Sequence, residues 1–264
     1  MIKSPRHRLG IVLSGGGTRG LAHVGVLRAL EEHGIRPDCI AGASAGAIVG
    51  ALYAAGYSPP EMVDFFERKN PFRVRKLAFG KPGIIDADKV VSDFEETFPD
   101  NAFEALSKTL RIVATDMLRG EAVVFDSGPL IPAILASSAV PMIFTPVEID
   151  GGWYADGSIV NNFPAELLDG RCHTRIGVHV SPLKQVERSD LRRSVAIAQR
   201  ALEVGAFVKS SAKFDLCDVV IVPAGLARFG AFDTKRFELV EQVGYEAAKA
   251  SMPAIEAALA ALEA

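Results

Sequence analysis

The sequence predicts an α/β domain built on a mainly parallel sheet with both faces covered. Three observations carry that expectation. Short apolar runs of strand length alternate along the chain with longer stretches whose apolar residues recur at helical spacing, the order that yields parallel strands joined by helices. Two of the strand-to-helix passages turn on glycine, at Gly15–Gly20 and at Gly42–Gly46. The chain of 264 residues, 49% hydrophobic and 23% charged, suits one globular domain with a proper core.

In order, residues 9–14 form a first strand, followed by the glycine turn and a helix over 21–33. Leu21, Val24, Leu27 and Leu30 give that helix a core face, and Gly34 and Pro37 stop it. Asp38-Cys39-Ile40-Ala41 leads as a second strand to Ser44, and 47–55 is a buried helix. A helix follows from Pro59 through Arg68, and residues 70–85 are punctuated by Pro and Gly. Asp86 or Asp88 caps another helix to Phe98. Residues 57–108 read as a flap on a core that spans about 9–245.

Leu110–Thr115 alternates like a strand, with Ala122–Phe125 as its hairpin partner across Arg119-Gly120. Leu130–Ala136 is a short helix, and Asp150-Gly151 turns a second hairpin. Pro164 opens a helix to Leu168. Strands at 175–180 and 219–222 enclose a crossover helix over 188–213. A C-terminal helix over 234–262 is interrupted at Pro253.

Composition excludes several classes. The net charge of −3 lacks the basic footprint of a nucleic-acid binder. Cys39, Cys172 and Cys217 stand far apart and form neither a metal-ligand pair nor a disulfide framework, which points to a reducing, cytoplasmic setting. No metal or cofactor is expected. The uncharged runs 39–60 and 127–147 are broken by glycine and proline and read as buried interior around a site rather than membrane spans.

That site begins at Gly42-Ala43-Ser44-Ala45-Gly46. Between a strand and a helix, G-x-S-x-G holds serine at a strained corner with its hydroxyl exposed at the strand end. The same five residues also suit an ordinary Gly/Ala-rich connection. Gly15 to Gly20 fits the dinucleotide fingerprint G-x-G-x-x-G, but strand two ends in Gly42-Ala43-Ser44, without the carboxylate that would hold a ribose. The alternative use of the loop is anion binding by its backbone N–H groups beside Ser44, as an oxyanion hole. Arg19 either holds that loop or meets an anionic group.

A serine nucleophile needs a base. His173 and His179 lie downstream, but only one strand precedes strand two, unlike the order of the α/β-hydrolases. His23 and His33 read as structural, and His179 as a core or pocket-wall residue. Asp156, preceded by Trp153 and Tyr154 and followed by Gly157, is the better candidate, although Asp-Gly is also a common turn.

With these residues in hand the chain resembles the patatin-like phospholipase family, from about residue 9 to residue 245. The resemblance rests on Gly15–Gly20, Gly42–Gly46, Ala136–Pro141 and Asp156-Gly157, with Thr115-Asp116 and Gly120-Glu121 similar to the family's middle hairpin. It implies a three-layer α/β/α fold and a Ser–Asp dyad, with Ser44 as nucleophile and Asp156 as base. Gly16 and Gly17 would supply the oxyanion hole, supported by Arg19; Gly15, Gly20, Gly42, Gly46 and Gly157 are the motif glycines. Asp156-Gly157-Ser158 departs mildly from the family's usual Asp-Gly-Gly or Asp-Gly-Ala.

The resemblance implies a serine lipid acyl hydrolase working through an acyl-enzyme. A carboxylesterase for small soluble esters and a non-catalytic regulatory protein on the same scaffold are the alternatives. The expected partner is a lipid or ester substrate, with transient contact at a membrane surface. Phe65-Phe66 and the segment Phe72–Phe79, with Arg73, Arg75 and Lys76, either touch lipid or fold as a flap with their aromatic rings in the core, and the uncharged run Ser137–Phe144 is expected to wall an acyl pocket.

Overall fold

The computed structural model describes residues 7–69, 87–141 and 143–261. Strand β1 (His7–Leu13) sits inside an eight-stranded sheet and is flanked in parallel by β2 (Cys39–Ala43) and β7 (Cys172–Val178). β3 (Thr109–Asp116) extends the sheet in parallel beyond β2, and β8 (Val219–Ile221) does so beyond β7. The remaining strands, β4 (Glu121–Phe125), β5 (Val147–Ile149) and β6 (Gly152–Asp156), are antiparallel. Asp150 and Gly151, with φ of 49° and 76°, close the two-residue β5–β6 turn that their sequence announces.

The period of two along β1 separates the layers. Leu9, Ile11 and Leu13 enter the main core with helices α1 (Leu21–Glu32), α2 (Ala45–Ala54), α3 (Pro59–Arg68) and α8 (Phe237–Ala260). Val12 faces a smaller cluster on the other side, completed by Phe163, Ala165 and Leu168. Helices α1 and α8 meet backbone to backbone. A Cβ on Gly25 would stand 2.0 Å from the Glu241 carbonyl oxygen, and one on Gly244 would stand 2.0 Å from that of Ala22.

Helix α3 starts where the sequence places it. Ser58 caps it reciprocally with Glu61, and two prolines open its first turn. Met62, Phe65 and Phe66, one helical face, are buried; the Phe65 ring meets Phe94, which stacks on Phe98, and Phe94 and Phe98 bracket the end of α4 (Ala87–Thr97). Of the two readings, the folded flap with its aromatics in the core holds for Phe65 and Phe66, and lipid contact does not. Residues 72–79, Asp86 and Met142 lie outside the described residues, as does the Asp88 side chain.

Two further expectations are corrected. The segment after Pro164 is a 3-10 turn, Ala165–Leu168. Helix α8 runs without a break through Pro253. Pro253 and Lys249, whose carbonyl loses its partner, are exposed, so water can take over that bond, while buried Ala248, Met252 and Ile255 hold both halves on the core. Within 188–213 a short 3-10 turn precedes α7 (Ser194–Ser211).

One detail of the sheet positions the site. β2 pairs with β3 up to Ala43 opposite Val113. β6 pairs with β3 from Asp156 opposite Ala114. Because β4 takes the other edge of β3 over Ile112–Asp116, β2 and β6 lie end to end along one edge. The residue after Ala43 and the last residue of β6 are thus brought together.

Candidate active site

Ser44 occupies the corner between β2 and α2 with φ 53° and ψ −123°, a region that non-glycine residues occupy only under constraint. The constraint is visible on both arms. A Cβ on Gly46 would come within 2.1 Å of the Leu13 carbonyl oxygen, and one on Gly42 within 2.5 Å of that of Gly46. Glycine at 46 therefore lets α2 lie directly on the end of β1, and glycine at 42 lets it fold back against β2. The N-terminus of α2 points at Ser44, where it favours negative charge.

The Ser44 hydroxyl donates to Asp156 Oδ2 at 2.6 Å, with no imidazole between them. Both side chains are buried, yet the pair sits at the carboxyl edge of the parallel strands. Asp156 Oδ1 accepts the Ser158 N–H at 2.8 Å, and the Asp156 carbonyl oxygen accepts Thr115 Oγ1 at 2.8 Å. Burial pushes the Asp156 carboxyl above its ordinary value, against the hydrogen bonds from Ser158 and Ser44, which favour the charged form. Gly157 opens α6 (Ser158–Asn161) and passes so close to β3 that a Cβ there would be 2.2 Å from the Val113 carbonyl oxygen.

The glycine loop lies alongside. Gly15 faces Ser44, since a Cβ built on it would be 3.1 Å from the serine Cβ. Gly15 N–H donates to Asn162 O at 3.2 Å and Thr18 N–H to Ala231 O at 2.8 Å. Among the described residues, Gly16 and Gly17, between them, donate to no backbone acceptor outside helices and strands. Gly17 has φ +59°, and a Cβ would strike Ala231 O at 2.1 Å. Gly20 packs on Ala45, the residue after Ser44. Arg19 Nε donates back to Gly16 O at 3.3 Å, and burial lowers the guanidinium pKa from its ordinary value.

The histidines stand apart. His179 is buried among the rings of Phe163, Phe207 and Phe214, neither ring nitrogen has a hydrogen-bond partner, and burial lowers its pKa to about 4. His23 Nε2 bonds the Ser14 carbonyl oxygen at 2.8 Å, and burial lowers it likewise to about 4. His173 is exposed on β7.

Sequence reasoning missed the bracing around the pair. Ser137, near the end of α5 (Leu130–Ser138), accepts the Ser44 N–H, and Ser138 Oγ reaches Ser44 O at 3.4 Å. Serines in an uncharged run give no sign of this on their own. Asn161 and Asn162 were legible as polar groups that order a loop, but not their partners: the Asn162 carbonyl holds Gly15, and its Nδ2 donates to Ser210 Oγ at 3.3 Å.

The arrangement places the protein among α/β proteins that pair a strand-end serine with a buried aspartate. The chain belongs to the patatin-like phospholipase family, whose profile matches residues 11–169. It is 36% identical over 165 residues to an NTE family protein of Mycobacterium tuberculosis, covering 62% of this chain and 46% of that one. It is 30% identical over 190 residues to the lysophospholipase NTE1 of Candida glabrata, covering 65% of this chain and 10% of that one. The chain thus spans under half the length of these relatives. The solved structure of VipD from Legionella pneumophila superposes with a TM-score of 0.53 at 16% identity, over 96% of this chain and 67% of that one. No helix among the described residues is long and apolar enough to cross a membrane.

Proposed function

We propose that the protein is a serine lipid acyl hydrolase that cleaves carboxylic esters of phospholipids or related lipids through a Ser–Asp dyad. The observation that carries this reading is the 2.6 Å hydrogen bond from Ser44 Oγ to Asp156 Oδ2 at a positive-φ corner. Family membership supports the substrate class, as does the lysophospholipase name of the Candida glabrata relative.

In this reading Ser44 Oγ attacks the ester carbonyl carbon while its proton passes to Asp156. Desolvation of the carboxyl makes it a better base than a free aspartate. The developing oxyanion is taken by the N–H groups of Gly16 and Gly17, each well-aimed donor contributing about 2.7–4 kcal/mol to the transition state. Arg19, bonded to Gly16 O, steadies that loop. Collapse expels the alcohol, which takes the proton from Asp156 and leaves an acyl-Ser44. Water, deprotonated by Asp156, then releases the fatty acid and restores the serine.

Incubation of purified protein with defined phospholipids, lysophospholipids and short soluble esters, with products read by mass, tests the proposal. Free fatty acid from the lipids, abolished by Ser44→Ala in a folded variant, is the expected result. Turnover confined to short soluble esters would replace it with the carboxylesterase reading. A folded Ser44→Ala variant with most of its activity would remove Ser44 from the mechanism.

A further inference from the structure

Helix α7 reverses the usual order of a surface helix, which buries its apolar stripe and shows a polar face. Ser210 is its one buried residue. Val195, Ile197, Leu202, Val204 and Val208 are exposed, from 37% for Val204 to 66% for Leu202. At about 100° per residue Ile197, Val204 and Val208 line one margin of the outward half of the helix and Val195 and Leu202 the other; its one charged residue, Lys209, turns back to Ile159 O. Arg200 instead turns inward and pairs with Glu203 at 3.6 Å.

A second apolar patch stands at the carboxyl end of the parallel strands. Met117, Leu118 and Trp153 are all more than 40% exposed, and Met117 N–H donates to Trp153 O at 2.8 Å. Ala43 pairs with Val113, so Met117, four residues on, projects past the sheet edge that carries Ser44. Helix α7 reaches the same edge. Its Phe207 ring lies 5.8 Å from that of His179, just beyond β7, and Lys209 Nζ lies 3.5 Å from Ile159 O in the turn after Asp156. Two exposed apolar patches therefore lie at the one edge that holds the site.

Charge selects the occupant. Residues 184–213 hold seven basic and three acidic side chains in a chain whose net charge is −3; Arg200 pairs with Glu203 and Lys213 with Glu166, which still leaves the segment with a basic excess. Arg192 and Arg193, at the start of α7, are exposed. A two-fold dimer through this face would set the basic patch against itself, whereas an anionic lipid surface complements both the charge and the apolar side chains.

We propose that the outward face of α7, together with Met117, Leu118 and Trp153, docks the protein on an anionic lipid–water interface and presents the Ser44–Asp156 edge to it. This rests on the lipid hydrolase reading above.

Partition onto vesicles of phosphatidylcholine, alone or mixed with phosphatidylglycerol, tests it in the Ser44→Ala background, where the lipid stays intact. The protein should co-sediment preferentially with the mixed vesicles. Leu202→Asp with Val208→Asp should lower the partition by at least about tenfold. Arg192→Glu with Arg193→Glu should remove the preference for phosphatidylglycerol, and Leu202→Trp should strengthen binding. Trp153, the single tryptophan of the parent chain, should shift its emission to the blue on vesicles. Circular dichroism and melting temperature confirm that each variant is folded. Equal partition of folded parent and charge variants would overturn the surface. So would a dimer on sedimentation equilibrium that the α7 substitutions dissolve, since the face would then belong to a second copy. Hydrolysis by the Ser44-intact protein is read in parallel. Hydrolysis with equal partition overturns the surface alone, and absent hydrolysis overturns the enzymatic reading alone.

Discussion

The hydroxyl oxygen of Ser137 accepts the backbone N–H of Ser44 at 2.9 Å. The same hydroxyl donates to the Val113 carbonyl oxygen at 2.6 Å, and the Ser137 carbonyl oxygen accepts the Gly157 N–H at 3.1 Å. One residue of α5 thus braces the serine corner, strand β3 and the loop leaving Asp156. Ser137→Ala strands a buried N–H and should cost about 1–3 kcal/mol of stability. It should lower kcat about 10–100-fold with KM little changed, because the reacting pair loses its alignment. Steady-state kinetics on a soluble ester and a denaturant melt check both, and an unchanged kcat would confine Ser137 to stability.

Asp156 ties activity to stability through pH. Its folded pKa is raised by burial above the ordinary carboxylate value of about 3.9. Between those two values the folded protein keeps a proton that the unfolded chain has released. Stability from this group therefore falls as pH rises through the folded pKa, and the penalty is complete above it. Asp156→Asn removes the penalty, so it should melt higher than the parent at pH 7, with the gap closing below pH ~4. Its activity should drop about 10²–10⁴-fold, since an amide does not take the serine proton. Melting curves across pH, paired with ester kinetics, test both signs.

The contrast with Ser137 marks what sequence carries. The first two strands, both glycine turns, the hairpin tip at Asp150-Gly151 and the pairing of Ser44 with Asp156 were legible because each depends on local geometry or a specific motif. Sequence alone leaves Phe65 and Phe66 open between lipid contact and a folded flap, although Met62, Phe65 and Phe66 already have the i, i+3, i+4 spacing of a core face. Pro253 was read as a break because local propensity ignores the buried residues on either side that hold α8 together. The end-to-end placement of β2 and β6 along β3 has no local signature at all. It follows from which strands compete for an edge, and with it comes the role of Ser137.

His179 offers a test of the absence of a third catalytic group. Its nitrogens are buried without partners among three phenylalanine rings. His179→Phe should keep most ester hydrolysis and should not lower the melting temperature at pH 7. The pH slope gives a sharper readout. His179 titrates at about 4 in the folded protein and at about 6.5 when unfolded. Over that window the unfolded chain binds a proton that the folded one refuses, so stability falls as the solution is acidified. The variant should show a shallower loss between pH 6.5 and pH 4, approximately by one proton's worth. Loss of activity in folded His179→Phe would put the imidazole back into the chemistry.

The glycine loop has its own test in Gly17→Ala. The new Cβ would meet the Ala231 carbonyl oxygen at 2.1 Å with the backbone at φ +59°, so the loop must move. Displacing an oxyanion donor should lower kcat about 10²–10³-fold. A folded variant with unchanged kcat would show that the Gly16 and Gly17 N–H groups do not serve the oxyanion.

The most direct measurement is covalent labelling of the purified protein with a fluorophosphonate ester, followed by peptide mapping by mass spectrometry. The phosphonyl group is attacked by an activated serine and reports the nucleophile itself, without assuming a lipid. The dyad predicts one adduct per chain, on the peptide containing Ser44, formed slowly or not at all by folded Asp156→Asn and at the parent's rate by His173→Ala. An adduct on another serine, or equal labelling of Ser44 with and without the Asp156 carboxylate, would contradict it.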